Sequence, residues 1–182
     1  MFEWMRQPED RIAGVVPVDL ELAASETVVM AMTHIAAFPQ GFGFHFDTVT
    51  SVDVGEVCAS SIEDGEGNDL ALLFGVEFAD GRRADGGTNW IMRDGEDHFG
   101  LPAMPKRLPP DPDLEVFISA GGVASYDRRF AGSCWVWPLP PPGPLTFWTG
   151  WPAAGLPVRP TRIDAELVLA AVSASRRLWG SE

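Results

Sequence analysis

"TVVMAMTHIAAFPQGFGFHFDTVTSV", residues Thr27 to Val52, carries the decision between helix and strand for this chain. Its second half sets Phe42, Phe44 and Phe46 at every other position, with His45 and Asp47 between and after them. Side chains alternate across a strand but recur every 3.6 residues or so around a helix, so this spacing reads as a strand with one apolar and one polar face. The first half, Val28 to Phe38, is apolar on both faces, as in a strand covered from two sides. Pro39-Gln40-Gly41 between them is a turn signal, and the two runs together predict a hairpin.

The same rhythm continues outward in both directions. Val16, Val18, Leu20 and Leu22 share one face, as do Leu70, Leu72, Phe74, Val76 and Phe78, which run into an Asp80-Gly81 turn. "LEVFISAGG" and "RRFAGSCWVWPL" follow as strands joined through Gly121-Gly122, and "LTFWTGW" (Leu145 to Trp151) is another. From Arg82 to about Asp113 the period is lost, and an irregular proline-rich loop is expected around residues 98–113.

Near the end the rhythm changes. Ile163, Leu167, Ala170, Ala174 and Leu178 stand at helical spacing, with Thr161 as N-cap, Asp164 three residues on, Arg176 and Arg177 in the last turn and Gly180 as a stop. One amphipathic helix is predicted around 162–178. The expectation is a mainly β chain: an antiparallel β-sandwich, Ig-like or jelly-roll-like, of about seven to nine strands with one C-terminal amphipathic helix, forming a single domain over 1–182. No glycine-rich strand-to-helix turn supports a nucleotide-binding α/β fold.

Composition limits the functions. The chain has 182 residues, 46% of them hydrophobic, enough for a substantial core. Thirteen basic against 26 acidic residues give a net charge of −13, which disfavours nucleic acid as a partner because phosphate binding needs dense positive charge. The run Val28 to Phe38 is too short to span a bilayer, and charged residues in "MFEWMRQPEDRIAG" interrupt any export signal. A cytoplasmic protein without a membrane partner is expected. Cys58 and Cys134 read as two small hydrophobes in a reducing compartment, with a disulfide between them as the alternative.

Few residues invite chemistry. His45 and Asp47 project to one side of a strand, as a metal pair or proton shuttle would, but two ligands alone do not make a site, so a polar outer face is the preferred reading. His34 reads as a hydrogen-bonded strand residue. The oxygen-rich stretches "EDGEGND" and "RDGEDHFG", the second containing His98, lack the spacing of a calcium loop and read as solvated turns. There is no G-x-S-x-G elbow. No metal and no cofactor are expected.

The remaining signal is "SCWVWPLPPPGPLTFWTGWP", Ser133 to Pro152, with four tryptophans and six prolines. Proline has no amide donor, so "PLPPPGP" is read as a stiff connector between strands, even a crossover between sheets, in preference to a docking peptide. Alternation places Trp135 and Trp137 on one face, and Trp151 opposite Trp148. Seven tryptophans exceed what one small core readily buries. Trp135, Trp137, Trp148 and Trp151 are therefore the candidate partner-binding residues, and either an exposed aromatic patch or cover by the C-terminal helix accounts for them.

The stretches "AFPQGFGF" (Ala37 to Phe44), "LLFGVEFADGRR" (Leu72 to Arg83), "WVWPLPPPGPLTF" (Trp135 to Phe147) and "IDAELVLAA" (Ile163 to Ala171) resemble an uncharacterised family of bacterial proteins from high-GC, actinobacterial-type genomes. The resemblance implies one compact domain and brings no catalytic residues. Two functions stay open. The preferred one is a non-catalytic sandwich that binds a protein partner, or another copy of itself, through an aromatic, proline-framed surface. The alternative is a hydrolase or carbohydrate-acting enzyme using strand carboxylates such as Glu77 and Glu115 beside tryptophan platforms.

Overall fold

The structure is a computed structural model and describes residues 3–51, 72–88, 116–151 and 154–179. Nine strands in this part of the chain form two antiparallel sheets. The first sheet contains β2 (Gly14–Ala24), β3 (Val28–Phe38), β4 (Gly41–Thr50), β7 (Phe117–Tyr126) and β8 (Arg129–Trp137), in the order β2-β3-β4-β8-β7. The second contains β5 (Leu72–Glu77), β6 (Arg83–Thr88), β9 (Pro144–Trp151) and β10 (Leu156–Asp164), in the order β10-β9-β5-β6. A small ribbon pairs β1 (Arg11–Ile12) with β11 (Arg176–Arg177).

The hairpin read from Thr27 to Val52 is present, with Phe38 paired to Gly41 across Pro39-Gln40. Its Phe42, Phe44 and Phe46 point inward, where Phe44 meets Phe74 and Phe147, Phe46 meets Phe74, and Phe42 meets Phe147. These contacts join one sheet to the other, so the chain is an antiparallel β-sandwich. Val16, Leu22, Met30, Met32, Ile35, Val76, Val136, Leu145 and Leu156 complete the layer between the sheets. Residues 138–143 link β8 of one sheet to β9 of the other, so the proline-rich segment is a crossover. Proline fits there because a crossover needs no ladder hydrogen bonds.

Exposed prolines also lie on outer strands: Pro17 on β2, and Pro157 and Pro160 on β10. Each removes an amide from an edge that could otherwise pair with another chain.

Three local expectations are corrected. Residues 83–88, read as aperiodic, form β6, which pairs with β5 from Glu77–Arg83 to Leu72–Thr88. Gly121-Gly122 lie within β7, where the register shifts between Ala120 and Val123, and Asp127-Arg128 make the turn to β8. Two adjacent glycines suit a bulge as well as a turn, and the ladder on both sides decides between them.

The third correction concerns the helix. The span 162–178 is not one helix: β10 continues to Asp164, and helix α1 covers only Glu166–Val172. Thr161 pairs with Phe147 within the sheet, and the helix starts at Ala165, with the Glu166 amide donating to Asp164 Oδ1 at 3.0 Å. The buried stripe is also different. Leu167 is exposed, while Ala165 and Val168 are fully buried and Ala171 and Val172 pack against the core. Both stripes have helical spacing; the strand pairing that precedes the helix fixes which one turns inward. The helix packs on β2, β3 and β10. It does not cover Trp135 or Trp137.

The expected loop around 98–113, together with Cys58, His98, Glu115, "EDGEGND" and "RDGEDHFG", lies outside the described residues. Among the described residues, no helix is long and apolar enough to cross a membrane.

Candidate functional site

The four candidate tryptophans fall in three places. Trp151 belongs to the interior, edge-on to Phe130 at 5.4 Å, because its position on β9 faces the other sheet. Trp135 and Trp137 lie on the outer face of the five-stranded sheet, but they are covered there by a short 3-10 turn, Glu3–Met5. Trp4 packs on Phe117 and Trp137 at 5.1 Å each, and its carbonyl accepts the indole N–H of Trp135 at 2.8 Å. Trp135 is therefore only 3% exposed, with Phe38 and Met5 beside it. The N-terminal cover was not legible from sequence, because Trp4-Met5 is too short to show a period.

Trp148 differs. It stands on the outer face of the four-stranded sheet and is 37% exposed. Its strand neighbours there are Pro160 on β10 and Gly75 on β5. Gly150, two residues on, carries no side chain, and Val158, itself exposed, packs against its backbone. The adjoining row runs Arg162, Thr146, Glu77, Arg83 across all four strands. Within it Glu77 Oε2 accepts the Trp148 indole N–H at 3.4 Å. The result is an exposed apolar patch of Trp148, Pro160 and Val158, with Arg162, Glu77 and Arg83 in the row beside it. Glu115, the partner proposed for Glu77, lies outside the described residues.

On the other sheet's outer face, beyond the tryptophan cover, His34 of β3 pairs directly with His45 of β4. Their rings stack at 4.0 Å between centroids with 10° between planes. A bulge creates this arrangement: the register shifts between Met32 and His34, so Thr33 and His34 together oppose His45. Thr33 Oγ1 lies 3.2 Å from His34 Nδ1 and 3.4 Å from the His45 carbonyl oxygen. Burial holds His45 below the usual imidazole pKa, and the neighbouring His34 lowers it further.

Asp47 lies on the same face of β4, as alternation predicts, but it forms an ion pair with Arg129. That partner raises the Arg129 pKa and commits the carboxylate. Among the described residues, no group of three or more His, Cys, Asp or Glu side chains converges as a metal cage. Cys134 points into the core as a free thiol, with its pKa pushed up by burial, which makes it a packing residue.

Comparison of the chain with protein-family models, with curated proteins and with solved structures finds no match.

Proposed function

We propose that the protein is a non-catalytic interaction module that docks a protein partner, or a second copy of itself, on the outer face of the four-stranded sheet around Trp148. One observation supports this reading above the others: Trp148 is exposed between Pro160 and Gly75, while Trp135 and Trp151 are absorbed by the fold. An exposed indole with Arg162 and Arg83 at the ends of the adjoining row has the composition of an interface hot spot. Prolines on β2 and β10 disfavour edge-to-edge pairing, so association through a face is the better route. The buried reduced thiol of Cys134 suits work in a reducing cytoplasm.

Light scattering coupled to gel filtration, with crosslinking, tests self-association, and retention on immobilised protein tests capture of a partner. Trp148→Ala is expected to weaken association by about 2 kcal/mol, roughly thirtyfold, without unfolding the sandwich. Association that is unchanged in Trp148→Ala would remove this face from consideration.

A second reading has one observation in its favour. Glu77 sits against Trp148, as a carboxylate beside a sugar platform would. A hydrolase or carbohydrate-acting enzyme would turn over a glycoside and lose that activity in Glu77→Gln. A non-catalytic module would show no turnover in either form.

A further inference from the structure

We infer that the occupant of the Trp148 face is a second copy of this chain, held in a two-fold dimer whose axis runs along β9. The inference rests on the reading of that face as a docking surface and names what docks there.

The order of charges comes first. Across β10, β9, β5 and β6 the row beside Trp148 reads Arg162, Thr146, Glu77, Arg83: positive, neutral, negative, positive. Among the described residues, neither Arg162 nor Glu77 has an ion-pair partner. Glu77 meets the Trp148 indole, a neutral group, so its charge is uncompensated. Two copies of a chain with a net charge of −13 repel at a distance, so a face that joins them needs unlike charges in register.

Symmetry then selects the arrangement. Two equivalent faces that cover each other are related by a two-fold axis lying between them. An axis across the strands sets each strand on its own copy, so Arg162 meets Arg162 and Glu77 meets Glu77, or both charges meet the apolar row. An axis along the strands keeps each row on itself and exchanges strands. Placed on β10 or β5 it opposes like charges, and between β9 and β5 it sets Arg162 against Arg83. Between β10 and β9 it leaves Glu77 unopposed. Between β5 and β6 it pairs Glu77 with Arg83 but puts Trp148 outside the contact. Placed on β9, it sets Arg162 of each copy opposite Glu77 of the other, one strand spacing of about 4.8 Å to either side.

The neighbouring rows agree with that axis. Reversal about β9 brings the two Trp148 side chains together and sets Pro160 of each copy over Gly75 of the other, a position without a side chain. In the next row, half-buried Leu73 and exposed Val158, which lies over Gly150, bring apolar surface to apolar surface. Arg83 falls beyond the β10 edge of the copy and stays in solvent.

Charge reversal followed by sedimentation velocity tests the arrangement. The concentration series reaches the submillimolar range, because a contact of three short rows belongs with weak interfaces. The unmodified protein is expected to dimerise. Arg162→Glu and Glu77→Arg should each weaken the dimer by about tenfold or more, since each opposes like charges twice. Mixing the two variants, or combining both changes in one chain, should restore it to within about threefold, because each acid again faces an arginine. Arg128→Glu, at the turn into β8 of the other sheet, changes the net charge equally and should leave the dimer unchanged. If a reversal fails to fold, Arg162→Gln and Glu77→Gln remove the charges without reversing them and must still weaken the dimer. No self-association of the unmodified protein overturns the proposal, and retention of another partner through Trp148 would then leave the docking face standing. A dimer that weakens in Trp148→Ala but not in the two reversals, or that mixing fails to restore, overturns the two-fold about β9 alone.

Discussion

Gly14→Ala is the substitution that most directly tests how the helix sits on the sandwich. Gly14 begins β2 and pairs with Ala37, and a Cβ there would lie 1.7 Å from the Ala171 carbonyl oxygen and 2.7 Å from its carbon. Carbon and oxygen make van der Waals contact at about 3.3–3.6 Å, so strand and helix would have to separate by roughly 1.6 Å or more. Both atoms struck are backbone, and no side-chain rotation relieves the clash. That oxygen also accepts the Ala174 amide at 3.0 Å, so the last turn of the helix is caught in the same displacement.

Moving α1 outward withdraws Val168, which is fully buried, from its neighbours. A gap of 0.5–1 Å, in general, already forfeits about a quarter to a half of a dispersion contact, and full burial of a valine is worth about 1.5–3 kcal/mol. Overpacking strain is of similar size, so the expected loss is about 2–4 kcal/mol. For a chain of this length that lowers the melting temperature by roughly 5–15 °C. Urea unfolding followed by tryptophan fluorescence and thermal unfolding followed by circular dichroism both read it. Gly81→Ala is the control, since a Cβ there meets open space and only the left-handed φ of +85° opposes it, at about 1 kcal/mol. The double variant Gly14→Ala, Val168→Ala should lose less than the sum of its parts, because both changes disturb one contact. A Gly14→Ala protein within about 0.5 kcal/mol of the parent would refute the close approach of helix and strand.

Two further outcomes are expected. Trp135→Phe removes the indole bond to the Trp4 carbonyl and leaves a void under the N-terminal cover, at a cost of about 1–3 kcal/mol, and should raise the exposure of Trp4 to a fluorescence quencher. Stability should fall as pH is lowered, because burial and then His34 depress the pKa of His45 below the ordinary imidazole value of about 6.5, so the unfolded chain takes up the proton first. The contribution is complete above that value and lost progressively as pH falls from it toward the folded-state pKa; among the described residues His34 is the ionisable group stacked on His45, and His45→Gln should flatten the slope.

The apolar period of Phe42, Phe44 and Phe46, the Pro39-Gln40 turn and the proline crossover were legible in sequence because each depends on neighbours along the chain. Alternation alone put Trp148 opposite Trp151, and His45 with Asp47, on their respective faces. Alternation says nothing about what covers a face. Trp135 and Trp148 both stand outward on their own sheets, yet a turn some 130 residues away buries the first and leaves the second in solvent. The helix shows the same limit: residues 162–178 hold two apolar stripes, and the pairing of β10 with β9 as far as Asp164 selects the one through Val168. The stacking of His34 on His45 depends on a bulge, a register event between two strands to which neither strand's own pattern points. Local sequence fixes backbone direction and side-chain parity through sterics that act over a few residues. Cover, register and close approach are relations between distant segments, and only the packed chain settles them.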